Sequence, residues 1–262
     1  MLGPMFSGLA DIAAEGVLLL GAGRAILLQI ANPSVGRGVA EHSTFTERPL
    51  DRFRATTTFL YAAIYGTPGQ VAAVRRMVNR AHVPVRRAAD GRHSGYNAFD
   101  PGLQLWVLAT LYDSTMTVFE KVYGPLSGAE ADAVYRDYAR IGTILQVPAG
   151  VWPADRAAFD DYWSAGLRRL AIDDATVRVA RELLHPHAVP WWAHACMPLI
   201  RLVTTGLLPE PLREKFGLPW DGRRQLLFNL VMHVLALVYP PLPRRLRHAL
   251  KIRYLRKLET RG

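Results

Sequence analysis

Cysteine is almost missing from this chain. Cys196 is alone among 262 residues, and a single thiol forms no intrachain disulfide, so a reducing, cytoplasmic setting is expected rather than an oxidising one. Long clean apolar runs are missing too. The stretch VLLLGAGRAILLQIA at 17–31 carries Arg24 in its middle and has no basic segment before it. The run LLFNLVMHVLALVYPPL from Leu226 contains Asn229 and His233 and stops at Pro240 and Pro241. Crossing a bilayer takes about 20 apolar residues, so both stretches read as buried core helices, neither as a signal peptide nor as a span. Nucleic-acid signatures are absent as well: no zinc-finger spacing, no aromatic RNP-like run, no Gly-x-x-Gly clamp with basic flanks. The net charge of +10, carried overwhelmingly by arginine, is therefore not read as a nucleic-acid surface.

Period-2 alternation bounded by turn residues is also lacking, whereas helix punctuation recurs along the chain. Pro49 suits a first turn and Gly66 a stop. Thr67 and Pro68 open the next helix. Asp100 and Pro101 begin another that should end at Gly124, and Ser127 with Glu130 forms a capping box. Further helices are expected near 153–170, 174–184, 191–207, 221–239 and 243–258. No internal repeat or low-complexity linker interrupts them. The expectation is one all-α domain of about ten helices spanning 1–262. The polar stretch RAADGRHSGYNAFDP at 87–101 reads as a connection.

The segment NRAHVPVRR at 79–87 sets a histidine among arginines just before a proline. Val71, Val74 and Val78 are spaced by three and four, and His82 takes the next step of that stripe, so its ring should face inward. Pro84 lacks an N–H and collides with the preceding turn, so the helix should kink or end near His82. An inward imidazole beside a helix break suits a binding site, and it equally suits a core histidine satisfied by a backbone carbonyl. On the preceding helix Arg52 and Thr56 share a face that continues through Phe59 and Ala63. A guanidinium there needs a carboxylate or similar acceptor, and an ordinary buried ion pair with Glu41, Glu47 or Asp51, all close in sequence, would supply one.

HPHAVPWWAHAC holds His185, His187, His194 and Cys196 and superficially resembles a zinc or copper site. Pro186 separates the first two histidines, however, and His194 and Cys196 point about 200° apart on a helix. Their convergence is not expected, and Trp191 and Trp192 read as anchors against the core. The C-terminal stretch PRRLRHALKIRYLRKLE repeats Leu246, Leu250 and Tyr254 at four-residue steps among Arg244, Arg247, Lys251 and Arg256. Such a basic amphipathic helix suits an anionic membrane surface, or a core-facing helix with solvated arginines.

Taken in order, GAGRAILLQIANPSVGRGVAEHSTF, RFRAT, RAHVPVR and YNAFDPGLQLWVLATLYDS resemble the MpaB-type oxygenases, the family that includes rubber oxygenase (latex-clearing protein). The resemblance covers roughly residues 9 to 240. It implies an all-helical protein that uses haem b and dioxygen to cleave double bonds of apolar, isoprenoid or lipid-like substrates. By the same resemblance His82 matches the histidine that ligates haem iron, and Arg52 and Thr56 match an arginine and a threonine near the haem. Glu41, in GVAEHS, is the first candidate for the base that removes an allylic proton, and Glu47 the second. The chain departs from the family pattern at Ala55, where rubber oxygenases carry a basic residue. It departs again at Asn32 and Leu108, where histidine is frequent. Two other readings stand beside the oxygenase: a haem-free binder of apolar ligands on the same scaffold, and a mononuclear metal enzyme.

Overall fold

Short polar caps set where the helices begin. Thr67 Oγ1 accepts from the Gln70 N–H at 3.3 Å while Gln70 Oε1 accepts from the Thr67 N–H at 2.9 Å, and Ser127 and Glu130 repeat this reciprocal box. Asp100, Asp155, Asp173 and Asp221 each accept from the amide three residues on. Gly124 ends one helix at φ 84°, a left-handed value that glycine adopts without strain.

The computed structural model describes residues 6–42, 49–89, 95–145, 147–187 and 189–259, leaving aside the side chains of Pro49, Leu50, Arg52, Trp192 and Glu259. The elements are α1 (Leu9–Ile12), a 3-10 segment (Gly16–Gly21), α2 (Ala22–Ile30), α3 (Pro33–His42), α4 (Pro49–Tyr65), α5 (Pro68–His82), β1 (Arg86–Arg87) and β2 (Tyr96–Asn97). There follow α6 (Pro101–Tyr123), α7 (Gly128–Ile144), α8 (Arg156–Arg168), α9 (Asp174–Leu184) and α10 (Trp191–Leu207). The chain closes with α11 (Glu210–Lys215), α12 (Gly222–Val238), α13 (Arg244–Arg247) and α14 (Ala249–Glu259). The fold is all-α. Among the described residues the helices exceed the ten expected through pieces such as α1, α11 and α13, each too short to show a helical period in sequence.

The long helix α6 runs through the middle. It buries Leu105, Trp106, Leu108, Ala109, Tyr112 and Phe119 and packs against α2, the 3-10 segment, α7 and α12. Trp106 Nε1 donates to the Leu28 carbonyl at 3.2 Å. Arg24, which interrupts the first apolar run, is buried. Its Nη1 lies 2.5 Å from Asp113 and 2.9 Å from Ser114 Oγ, and its Nε donates to the Leu207 carbonyl at 2.8 Å. A guanidinium is tolerated inside a fold only when acceptors surround it in this way. Burial raises the Asp113 carboxyl above its usual range, with Arg24 opposing the shift.

Four features differ from the sequence expectation. The 87–101 connection contains an antiparallel ladder, Arg86 opposite Asn97 and Arg87 opposite Tyr96; strands of two residues are too short to show alternation. The helix expected over 243–258 breaks at His248, where Arg247 and His248 both turn to Glu15. Arg247 is therefore buried and not a surface cation. Tyr254 and Leu258 of α14 are buried too, and α14 packs on α4. Trp191 does not anchor α10 against the core: it is 82% exposed. Finally, α12 is not a buried core helix. Only Phe228 and Met232 are buried, while most of its leucines and valines face outward.

The contact of α10 with α12 is close at one point. A Cβ at Gly206 would run into the ring of Phe228. Gly206→Ala is expected to cost about 1–3 kcal/mol, read as a lower urea midpoint with an unchanged slope. An unchanged midpoint would mean that the two helices separate at little cost.

Candidate functional site

Helix α5 ends at His82, as Pro84 requires. The His82 carbonyl accepts from the Val85 N–H at 2.9 Å, which turns the chain into β1. Along the helix Val74 is buried and Val71, Val78 and His82 are half-buried, so the stripe faces inward and opens toward its C-terminal end. The His82 ring stands edge-on to Phe99, with centroids 6.0 Å apart at 82°.

The ladder carries the neighbouring groups. Tyr96, buried at β2, donates its hydroxyl to Glu41 Oε2 at 2.7 Å, and Arg87 of β1 meets the same oxygen at 3.0 Å. His42 lies edge-on to Tyr96 at 5.7 Å. The end of α3, the end of α5 and the ladder thus converge, with His82 and Glu41 joined to it through Phe99 and Tyr96 respectively. The Tyr96 hydrogen bond, helped by Arg87, holds the Glu41 carboxyl below its usual range. Burial and the same bond push the Tyr96 phenol up to about 12. As placed, Glu41 is an engaged acceptor that ties α3 to the ladder.

A lowered folded pKa means that the Glu41 contribution is present above the ordinary carboxylate value of 4.5 and is lost as pH falls through the lowered one. The group is partly exposed, so solvent screening keeps the effect small. Urea unfolding from about pH 6 to about pH 3 should show wild type more stable than Glu41→Gln, with the gap closing at the acid end. A gap that widens toward acid would contradict this tether.

Helix α4 precedes α5 across a two-residue turn, so the two run antiparallel. At about 1.5 Å per residue, the backbone of Arg52 lies level with His82 and that of Thr56 about one turn nearer the turn. The Arg52 side chain is outside the described residues, as is Glu47. Thr56 is exposed, Phe53 is exposed beside it, and Thr57 is buried with its hydroxyl on the Phe53 carbonyl at 2.8 Å.

The three departures from the family pattern have local explanations. Asn32 Oδ1 accepts from the amides of Ser34 and Val35 at 3.1 and 3.3 Å and so caps α3. Leu108 is buried in the core. Ala55 is exposed on α4. Sequence reasoning missed Tyr96, Phe99 and Arg87; the two aromatics in YNAF, inside an otherwise polar stretch, were the available signal.

Among the described residues no group of three or more His, Cys, Asp or Glu side chains is placed to hold a metal ion. A bare zinc or copper ion takes three or four protein donors, whereas haem brings four nitrogens and takes one axial imidazole. One half-buried histidine at a helix end, with an aromatic ring beside it and exposed apolar residues on α4, fits that second requirement.

The fold is all-α, and the class of the chain is given by its family. Residues 10–237 match the family described as ER-bound oxygenase mpaB/B'/Rubber oxygenase, catalytic domain, and the chain belongs to it. It is 41% identical over 225 residues to the uncharacterized protein Rv2237 of Mycobacterium tuberculosis, covering 84% of this chain and 88% of that one. The uncharacterized protein Mb2261 of Mycobacterium bovis matches to the same extent. No solved structure matches the chain.

Proposed function

We propose that this protein is a haem b-dependent oxygenase acting on an apolar, isoprenoid or lipid-like alkene with dioxygen. The observation that carries the reading is His82: a half-buried imidazole at the proline-broken end of α5, beside Phe99, in a chain of the oxygenase family. His82 would hold the haem iron as a neutral imidazole, Arg52 would meet a propionate, and Thr56 would hydrogen-bond at the pocket edge. When bound, haem supplies the activation of dioxygen. The chain's own part is to hold the alkene against apolar walls and to place a carboxylate near it. Glu41 would take an allylic proton only after leaving Tyr96 and Arg87, since their hydrogen bonds make its carboxylate a poor base.

That engagement of Glu41 favours a second reading, a haem-free binder of apolar ligands on the same scaffold. A cytoplasmic location is part of the proposal and rests on the lone, exposed Cys196. Hemin-loaded protein should consume dioxygen in the presence of a polyisoprenoid alkene and release carbonyl products. Protein that takes up the alkene but neither hemin nor dioxygen would overturn the oxygenase in favour of the binder.

A further inference from the structure

Helix α12 has no Asp, Glu, Lys or Arg between Gln225 and Val238; its polar residues Gln225, Asn229 and His233 fall on one narrow line, and apolar helix surface as broad as the remainder is ordinarily buried. Here one side packs through Phe228 and Met232, while Leu226, Leu227, Leu230, Val234, Leu237 and Val238 are exposed, Leu226 to 71% and Leu237 to 62%. At 100° per residue these six fall within one third of the circumference, so they form a continuous outward stripe about 18 Å long. A contiguous apolar surface of this kind marks an interaction site.

The ends of the stripe indicate what covers it. Arg223 lies on the same face at the N-terminal end, and exposed Arg244 and Arg245 follow within a few residues of the C-terminal end. Arg224 is paired with Asp221 at 2.6 Å and Arg247 is committed to Glu15, so neither of these belongs to the set. We propose that this face docks on an anionic lipid bilayer, with α12 flat at the interface, its stripe against the acyl chains and its terminal arginines at the lipid phosphates. No single helix among the described residues is long and apolar enough to cross a membrane, which leaves lying flat as the mode open to α12.

A second copy of this chain is the competing occupant, and charge disfavours it. Antiparallel pairing of two α12 helices brings Arg223 of one copy to Arg244 and Arg245 of the other, and parallel pairing brings Arg223 to Arg223. Like charges meet in both cases, on chains of net charge +10. The proposal needs no haem and no turnover, so it stands or fails independently of the oxygenase reading.

Co-sedimentation with phosphatidylglycerol/phosphatidylcholine vesicles tests it on the full chain. Wild type should pellet with anionic vesicles, much less with pure phosphatidylcholine, and less in about 1 M salt than in about 0.1 M. Leu230→Gln combined with Leu237→Gln, at exposed positions that leave the core intact, should weaken binding at least about tenfold with unchanged circular dichroism. Arg244→Gln with Arg245→Gln should remove most of the salt dependence. Wild type that stays in solution with anionic vesicles overturns the proposal. So does equal binding by the double-leucine variant, or a solution dimer that this variant dissociates.

Discussion

His82→Ala is expected to abolish uptake of hemin while leaving the helical circular dichroism and the urea midpoint close to those of wild type. The side chain is half-buried at the last residue of α5, where the helix already ends, and its ring stands edge-on to Phe99. A half-buried aromatic contact contributes about 1 kcal/mol, which a folded domain tolerates, whereas under the proposed function the same truncation would take away the imidazole that would hold the iron. The effect on binding should therefore be near complete and the effect on folding small. Arg52→Ala should weaken hemin retention less, because water replaces part of a propionate contact. If His82→Ala binds hemin as wild type does, the ligand is another residue. If it unfolds instead, His82 is a structural histidine.

The largest expected loss of stability lies at the Glu15–Arg247 pair. Glu15, 2% exposed, accepts from Arg247 at 2.5 Å and from His248 at 3.0 Å, and its other oxygen accepts from the Tyr123 hydroxyl at 2.7 Å. Arg247, 6% exposed, also donates to Tyr123 at 2.8 Å and to the Leu242 carbonyl at 3.0 Å. Arg247→Met removes the principal counter-charge and leaves a buried carboxylate, a change that costs about 3–5 kcal/mol. The combined Glu15→Leu, Arg247→Met variant removes both charges and should recover most of that loss, because apolar replacement of a buried pair is often neutral. Urea unfolding of the two single variants and the double completes the cycle. Additive losses would show that the two side chains are not coupled and that the pair does not hold the C-terminal segment to the 3-10 region.

How much of this was legible in sequence depends on the range of the interaction responsible. Caps act over three residues, so Thr67, Asp100 and Ser127 announced their helices, and Pro84 announced the end of α5 from two residues away. The MpaB-type resemblance read from GAGRAILLQIANP through YNAFDPGLQLWVLATLYDS is likewise carried by residues present in the string, and the family match bears it out. What could not be read was long-range pairing. Arg24 meets Ser114 across 90 positions and Glu15 meets Arg247 across 232, and no local pattern marks either. The Glu41–Tyr96 bond spans 55 positions, so the string allowed Glu41 an arginine partner, which Arg87 supplies, without showing the tyrosine that engages it. Composition misled at α12 for a related reason: an apolar helix signals that something must cover it, without saying whether that partner belongs to the same chain.

The absorption spectrum of wild-type protein, produced with ample haem precursor and then titrated with hemin, tests the central claim most directly. A Soret band that saturates at one haem per chain, and that His82→Ala lacks, is the predicted result. A colourless protein that leaves added hemin unbound would contradict the haem-dependent oxygenase and leave His82 as a histidine of the core.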